Sequence, residues 1–517
     1  MTDTSIITGA VYYVDAQAGS DQNDGRSTRS AWKSLARVNA TVFRPGDCIL
    51  FKAGCRFVGQ LHPQGSGTAD APITIDSYGG GDKPRIDGGG SHGSEQDDYT
   101  AGAAVLLYNQ DYWELRNLDI TNCNPFFTQP FRNVNSKNEW ISSPDNRYRY
   151  GVLIRWHNYG VGRHVYLEQC DIHDVNGELQ RFCAEGVLVV STGTREDGTQ
   201  TCFDDVRLEN NTVKNIGRTG ISVWSQWAEG RGTDYPNHGG SGNFYHGTVG
   251  PWKGSTRVVL RGNRVEYTAG DAILVNGTDG ALIEHNYVAH ACYEMRIGCN
   301  AAVWPHNADN TVMQYNEVCY THGVLDGQSF DIDLSCNHTL VQYNYSHDNE
   351  GGFILVMNRT SGNVIRYNIS RNDQAGLFWI NDNEGTSVYN NTFYLGYEHA
   401  SVFRVTPEHR DLLLANNIFC FRLPGGEANW TPHARYQSNC YCNAATLPDD
   451  PGAIQADPLF VDGPDAKTGR CAPEGFRLRA DSPCAGAGTP VAARKGLVDY
   501  CGKAVKKAPS IGACETE

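Results

Sequence analysis

The sequence predicts an all-β chain that coils into a parallel β-helix (a β-solenoid), with a short capping helix at its N-terminal end and long aromatic loop insertions. Three observations support this prediction. A strand-like segment that carries an Asn near its end recurs through the middle of the chain. The 57 Gly and 26 Tyr among 517 residues suit a fold with many tight turns. Helical periodicity is almost absent from the repeating region.

The repeat is clearest between residues 258 and 370, where successive Asn residues lie 23, 30, 28 and 24 positions apart. These residues are Asn263, Asn286, Asn316, Asn344 and Asn368, with matching positions at Asn211 and Asn417. A repeat of this length holds about three short strands, and stacked repeats pair their strands in parallel. One Asn per coil suits a left-handed corner, and stacked Asn side chains can hydrogen-bond to one another. We therefore interpret these residues as structural.

The two ends of the chain differ from the repeat. We expect residues 1–60 to form an N-terminal cap and the first strands, 61–430 the β-helix, and 431–517 the C-terminal coils and cap. Residues 31–38 have the pattern of a short amphipathic helix, and the open end of a solenoid needs such a cover. Two insertions, near 124–150 and 225–255, carry aromatic residues that argue against disorder. Those residues are Phe126, Phe127, Phe131, Trp140 and Tyr148 in the first, and Trp227, Tyr235, Phe244, Tyr245 and Trp252 in the second.

Charge and composition exclude several classes of function. The net charge of −15 argues against a partner that is a nucleic acid or an anionic membrane. No stretch has the 18 or so apolar residues of a spanning helix. The N-terminus has neither the basic nor the apolar region of a signal peptide, so we expect either a cytoplasmic protein or a mature secreted form. The 17 Cys contain no CxxC pair and the His no HExxH pattern, so we predict no metal site.

Two carboxylates on one strand are the candidate catalytic groups. Asp331 and Asp333 are two positions apart, so they share one face, and we expect both to lie exposed on the outer surface of the sheet. Phe330, Ile332 and Leu334 take the core face. Glycoside hydrolysis commonly uses two carboxyl groups, about 5–5.5 Å apart for retention or about 6.5–9.5 Å for inversion. Glu350, from a neighbouring coil, is the third catalytic candidate. The alternative is that these groups only keep the sheet soluble or bind Ca²⁺.

Other residues near this strand are candidates for binding substrate. A Trp beside carboxylates suits stacking on a sugar ring, and a His suits recognition of hydroxyl groups. The substrate-binding candidates are Trp304, His306, Arg359, Trp379, Asp271, Asp382 and Asp309.

Three segments resemble a known group of proteins. They are the opening from Tyr12 to Leu35, the stretch from Asp326 to Gly352, and the closing run from Asp457 to Ala513. They resemble right-handed parallel β-helix carbohydrate-active enzymes of the pectate-lyase-like superfamily, and look most like glycoside hydrolases of family 141. The resemblance implies a right-handed coil and a hydrolase that cleaves a glycosidic bond of a plant or microbial oligo- or polysaccharide. We expect no cofactor for this reaction.

Two other functions remain open. A polysaccharide lyase needs a strong base, and no Lys lies between Lys253 and Lys467, so the base would be an Arg. Such a lyase would depend on Ca²⁺, and a chelator would separate it from a hydrolase. A non-catalytic binding solenoid would form no product at all.

Overall fold

The structure is a computed structural model that describes residues 9–94, 97, 99–125, 148–177, 184–229, 250–293, 300–323, 326–381, 383–397, 401–404, 411–462, 473–491 and 496–516. The chain divides into two compact units, Met1–Asp279 and Gly280–Glu517. Each unit is built from parallel strands that belong to three sheets, here called sheets 1, 2 and 3.

In the first unit, the described coils contribute strands to sheets 1 and 2 from the beginning and to sheet 3 from Ala103–Tyr108 onward. Sheet 1 contains Val11–Val14, Cys48–Lys52, Ile73–Tyr78, Trp113–Arg116, Val161–Glu168, Cys202–Glu209 and Ser255–Arg261, with the short strand Thr278–Asp279 beside the last. Sheet 2 contains Arg56–Val58, Arg85–Asp87, Asp119–Asn122, Asp171–Val175, Thr212–Ile216 and Arg264–Thr268. Sheet 3 contains Ala103–Tyr108, Arg149–His157, Ala184–Thr192, Thr219–Ser225 and Ile273–Asn276.

The second unit repeats this arrangement with shorter strands. Sheet 1 contains Leu282–Glu284, Val312–Gln314, Leu340–Gln342, Val364–Arg366, Ser387–Tyr389, Leu412–Ala415 and Ala434–Gln437. Sheet 2 contains Tyr287–Ala289, Glu317–Cys319, Tyr345–His347, Ile369–Arg371, Thr392–Leu395, Ile418–Phe421 and Cys440–Cys442. Sheet 3 contains Val303–His306, Phe330–Ile332, Ile354–Val356 and Phe378–Ile380. The prediction of a parallel β-helix is confirmed.

Helical structure is short where the structure describes it. The α-helix Leu35–Asn39 begins after Ser34, whose hydroxyl accepts a hydrogen bond from the backbone N–H of Arg37 at 3.3 Å. Its buried residues, Leu35 and Val38, form the apolar face that the sequence pattern predicts. Three-residue and four-residue 3-10 turns occur at Thr100–Gly102, Gln226–Glu229 and Pro473–Phe476. Among the described residues no helix has the length and apolar character needed to cross a membrane.

The core is made of columns of apolar side chains, one from each coil. In sheet 1 of the second unit, strand register aligns six fully buried residues: Ile283, Met313, Val341, Ile365, Val388 and Leu414. Burying a side chain of this size contributes about 1.5–3 kcal/mol relative to leaving it exposed. A single coil cannot bury such a side chain by itself, so the stack stabilises each of its members.

The recurring Asn residues form the predicted ladder. In the second unit, the side-chain amide of each donates to the side-chain oxygen of the next at 2.9–3.0 Å. The ladder contains Asn286, Asn316, Asn344, Asn368, Asn391, Asn417 and Asn439. In the first unit, Asn211 donates to Asn263 in the same way at 3.0 Å.

The left-handed corner, however, is not at the ladder Asn, so that part of the prediction is wrong. It lies one residue earlier, at Tyr315, Tyr343 and Tyr367, which have φ between 52° and 57°. The Asn side chain must point into the turn to reach the ladder, and the strained conformation therefore falls on its neighbour. The rings of Tyr315 and Tyr343 stack with centroids 5.0 Å apart.

The two predicted insertions are described only at their flanks. Tyr148 and Trp227 are buried, and Trp252 is half-buried. The remaining aromatic residues of the insertions lie outside the described residues: Phe126, Phe127, Phe131, Trp140, Tyr235, Phe244 and Tyr245.

Candidate active site

The candidate catalytic strand belongs to sheet 3 of the second unit. Phe330 and Ile332 are fully buried, and the ring of Phe330 packs on Phe353 with centroids 5.9 Å apart. Asp331 lies between them and therefore faces away from the core. Strand register places it beside Leu355, and Leu355 beside Trp379. Because Val303 pairs with Phe330, the following residue, Trp304, lies beside Asp331 on the other side. We call Trp304, Asp331, Leu355 and Trp379 the acid column.

The two aspartates differ in their access to water. Asp331 is only 5% exposed, whereas Asp333 is half-buried. The expectation of two openly exposed carboxylates is therefore wrong for Asp331, because strand alternation predicts direction but not what covers a side chain. Asp333 follows the strand, and its Oδ1 accepts a hydrogen bond from the N–H of Leu334 at 2.6 Å. Its own N–H donates to the carbonyl of Pro305 at 3.2 Å, which holds it beside the neighbouring strand.

Two of the predicted substrate-binding residues lie on that neighbouring strand. Trp304 and His306 are two positions apart and share one face, with ring centroids 6.2 Å apart in an edge-on arrangement. Trp304 is 8% exposed, and His306 is half-buried. The side-chain amide of Asn307 lies 3.2 Å from Nε2 of His306. His306 is thus the more accessible of the two for contact with a hydroxyl group.

Trp379 ends the acid column and has a cationic neighbour that the sequence did not reveal. The guanidinium of Arg404 lies over its ring, 4.4 Å from the centroid, and the indole N–H donates to Oδ1 of Asn381 at 3.1 Å. Burial lowers the pKa of Arg404, and the negative charge of Asp326 opposes that effect. The pairing of Phe378 with Phe403 brings this Arg into place, but no strand pattern at 401–404 predicts it.

Glu350 and Arg359 lie at turns beside the same sheet. The carboxylate of Glu350 accepts a hydrogen bond from the N–H of Gly323 at 3.1 Å and lies 3.3 Å from Nδ1 of His322. It is about one-third exposed, so it remains reachable from solvent. Arg359 is exposed and has a left-handed backbone, with φ 61°.

The remaining acidic candidates have separate surroundings. Asp309 accepts a hydrogen bond from the side-chain amide of Asn337 at 2.9 Å, and Asn337 in turn accepts one from Ser361 at 2.8 Å. That stack gives Asp309 a structural role, and its role in substrate binding stays a prediction. Asp382 lies outside the described residues. Of Asp309 and Asp382, only Asp309 therefore has a contact that the structure describes.

Asp271 belongs to the first unit and forms a buried ion pair there. Its Oδ2 lies 2.6 Å from Nη1 of Arg218, and both side chains are almost entirely inaccessible. Close by, Glu185 is fully buried and is hydrogen-bonded to the hydroxyl of Ser222. Burial raises the pKa of Glu185 to about 8, although Ser222 and Arg218 act in the opposite direction. A buried carboxyl group of this kind is a candidate functional group, and sequence reasoning missed it.

Each unit has a surface cavity among its described residues. In the second unit, a cavity of about 810 Å³ is bordered by Trp430, His433, Arg435, Tyr436 and Leu447, among others. In the first, a cavity of about 460 Å³ is bordered by Asp111, Tyr159, Arg163 and Arg195. Neither of these two cavities is lined by Asp331 or Asp333.

The three parallel sheets and their coil-by-coil register define the class of protein: a parallel β-helix. Residues 241–393 match the family described as "Right handed beta helix region". The implied right-handed coil is therefore confirmed, while the particular likeness to family 141 stays a prediction.

Individual proteins of known name are also similar to this chain. Over its whole length the chain is 30% identical to a lacto-N-biosidase of Bifidobacterium longum subsp. longum, and it spans 37% of the length of that protein. It is similar to the crystal structure of a GH136 lacto-N-biosidase from Eubacterium ramulus, with 26% identity and a TM-score of 0.63. That likeness covers 78% of this chain and 68% of the other. A 65-residue segment is 35% identical to α-1,3-galactosidase A of Akkermansia muciniphila, covering 13% of this chain and 11% of that enzyme.

Proposed function

We propose that this chain is a glycoside hydrolase that acts on an oligosaccharide, with Asp331 and Asp333 as its two catalytic carboxyl groups. The observation that carries the proposal is the 30% identity to a lacto-N-biosidase along the whole of this chain. The similarity to the Eubacterium ramulus lacto-N-biosidase supports the same class of reaction. We take oligosaccharides that end in a lacto-N-biose unit as the first substrates to test.

The geometry of the strand supports the choice of these two residues. Residues two apart on a strand lie about 6–7 Å apart along its axis. That separation is at the lower end of the range of about 6.5–9.5 Å found in inverting glycosidases, where a water molecule fits between the carboxyl groups. We therefore propose inversion of the anomeric configuration.

The side chains of Asp331 and Asp333 differ in exposure, and we assign their catalytic roles from that difference. Water reaches the half-buried Asp333 more easily than Asp331. We assign activation of the attacking water to Asp333 and donation of a proton to the leaving oxygen to Asp331. His306, on the adjacent strand, and Trp379, two strands away on the other side, would contact the sugar. Arg359 and Glu350 would line the edge of the site.

A lyase reaction is the weaker alternative. The central coils contain no Lys that could remove a proton from a uronate, and both lacto-N-biosidase relatives are hydrolases by name. A two-carboxylate hydrolase needs no metal ion for this chemistry. We accordingly propose a reaction without a cofactor and without Ca²⁺.

A comparison of two substrates with the purified chain tests the reaction class. One substrate is an oligosaccharide with a terminal lacto-N-biose unit, and the other is a polyuronate. We expect chromatography to show a released disaccharide from the first, with no ultraviolet-absorbing unsaturated product from either, and no loss of rate in a calcium chelator. An unsaturated product that disappears with the chelator would establish the lyase instead.

Three variants test the residues. Asp331→Asn and Asp333→Asn should each lower kcat by about 10²–10⁴-fold, the usual contribution of a positioned acid or base. The matched control is Asp481→Asn, an exposed carboxylate on the same unit that pairs with Arg479. If the control loses as much activity as the two variants, the assignment of catalysis to Asp331 and Asp333 is wrong.

A further inference from the structure

A second cluster of reactive side chains lies on sheet 2 of the second unit, away from the strand of the proposed catalytic pair. Cys319 pairs in register with His347 on the next strand, and Glu317 lies two residues before Cys319. The intervening Val318 and Ser346 are fully buried, so the three side chains share the outer face of the sheet. One oxygen, one sulfur and one ring nitrogen of the cluster lie within 4.8 Å of one another.

We propose that Glu317, Cys319 and His347 bind a Zn²⁺ ion that links two successive coils. In a tetrahedral zinc site the metal lies about 2.0–2.2 Å from N and O ligands, which separates those ligands by about 3.3–3.5 Å. Nε2 of His347 and Oε1 of Glu317 are 3.3 Å apart. Both atoms also lie within 4.8 Å of Sγ of Cys319, so modest side-chain movements would bring the three atoms around one ion.

The surroundings of His347 support this assignment independently. Its other ring nitrogen, Nδ1, lies 2.9 Å from Oδ2 of Asp348. Asp348 is itself held by Nη1 of Arg371 and by the side-chain amide of Asn372, each at 3.0 Å. Histidines that bind metals almost always make such a contact through the second nitrogen, because it fixes the tautomer and aims the first nitrogen at the ion. Asp348 is therefore a positioning residue.

The plane of the imidazole is also fixed. The ring of Tyr345 stacks on it with centroids 4.5 Å apart, and the ring of Tyr320 meets it edge-on at 5.6 Å. His347 is buried, while the Glu317 side chain is 30% exposed, so an ion can reach the cluster from the Glu317 side. A preformed ligand set loses little conformational freedom when it binds a metal.

The ligand types select the metal. Thiolate and imidazole favour zinc over Ca²⁺ and Mg²⁺, which prefer oxygen ligands only. Three protein ligands leave the fourth position for water. On binding, the Cys319 thiol and the His347 ring each give up the proton that they carry, and both protons go to solvent. The thiolate and the Glu317 carboxylate then balance the charge of the ion.

A second group of possible ligands, Asp499, Cys501 and Cys514, provides a control. Both carboxylate oxygens of Asp499 already accept backbone N–H groups, from Lys503 at 2.7 Å and from Glu515 at 2.5 Å. Those bonds close the loop, so the carboxylate is poorly placed to bind an ion. We expect Cys501→Ser to leave zinc binding at the first cluster unchanged.

The test uses the full chain after dialysis against a chelator. Calorimetric titration with Zn²⁺ alone should give one tight site, and addition of Co²⁺ should produce a near-ultraviolet sulfur-to-cobalt absorption band. The near-isosteric Cys319→Ser should abolish the band, and Cys501→Ser should retain it. Asp348→Asn should weaken zinc affinity by about 10–100-fold. A wild-type chain without the band, or a Cys319→Ser chain that keeps it, would overturn the proposal.

Discussion

The Asn ladder should be the most sensitive structural feature of the second unit, and Asn344→Ala tests it. The Asn344 side chain is fully buried and makes four hydrogen bonds. Its oxygen accepts from the backbone N–H and the side-chain amide of Asn316, at 2.9 and 3.0 Å. Its amide donates to the carbonyl of Met313 at 2.9 Å and to Asn368 at 3.0 Å.

The expected cost can be worked out from these contacts. Truncation leaves the buried N–H of Asn316 without its acceptor, which costs about 1–3 kcal/mol, and removes three further bonds of about 0.5–1.5 kcal/mol each. Partial relaxation lowers the sum, so we expect a loss of about 3 kcal/mol in local stability. A loss of that size raises the equilibrium constant for local opening about 100-fold.

Hydrogen exchange measured by mass spectrometry on peptides that cover residues 312–319 reports this opening. The matched control is Asn337→Ala, because Asn337 is half-buried and its side chain contacts Asp309 and Ser361 outside the ladder. We expect the control to cost less than about 1 kcal/mol. If the two variants accelerate exchange equally, the ladder does not have the stabilising role assigned to it.

Three further predictions concern charge and substrate contacts. Burial raises the pKa of Glu185 from its ordinary 4.5 to about 8, so the folded chain keeps a proton that the unfolded chain loses. The free energy of unfolding should therefore fall as pH rises from about 4.5 to 8. Melting temperatures measured across this range should show the fall, and Glu185→Gln should remove the contribution of this group. An unchanged pH dependence in the variant would contradict the prediction. Trp379→Ala should raise KM about 3–10-fold with little change in kcat, because an aromatic contact contributes about 0.5–1.5 kcal/mol. A fall in kcat with an unchanged KM would exclude a stacking role for Trp379. Glu350→Gln should lower kcat less than tenfold, because the Glu350 carboxylate already accepts a hydrogen bond from the N–H of Gly323. A loss equal to that of Asp333→Asn would instead make Glu350 one of the two catalytic carboxyl groups.

The fold was predictable because the repeat encodes it directly. The spacing from Asn316 to Asn344 defines one coil, and it predicts which residues of successive strands face each other. The same spacing of 28 residues separates Cys319 from His347, so aligning the repeats would have predicted their contact. Short cysteine motifs do not reveal this pair, because its two members lie on different coils.

The details of the site were less predictable, for physical reasons. Strand alternation predicts that Asp331 faces away from the core, but its burial depends on what else packs there. The position of Arg404 over Trp379 depends on a chain segment without a strand pattern. The left-handed corner at Tyr343 was missed because Asn is the residue that most readily adopts that conformation after Gly, whereas here its side chain is needed inside the turn.

Hydrolysis of an aryl glycoside with an acidic leaving group tests the proposed pair most directly. Such a leaving group departs without protonation, so a variant that lacks only the catalytic acid keeps its activity on this substrate. We predict that Asp331→Asn retains most of its rate on the aryl glycoside but not on the natural oligosaccharide, whereas Asp333→Asn loses activity on both. Wild-type rates for both variants on both substrates would contradict the assignment of catalysis to these two carboxyl groups.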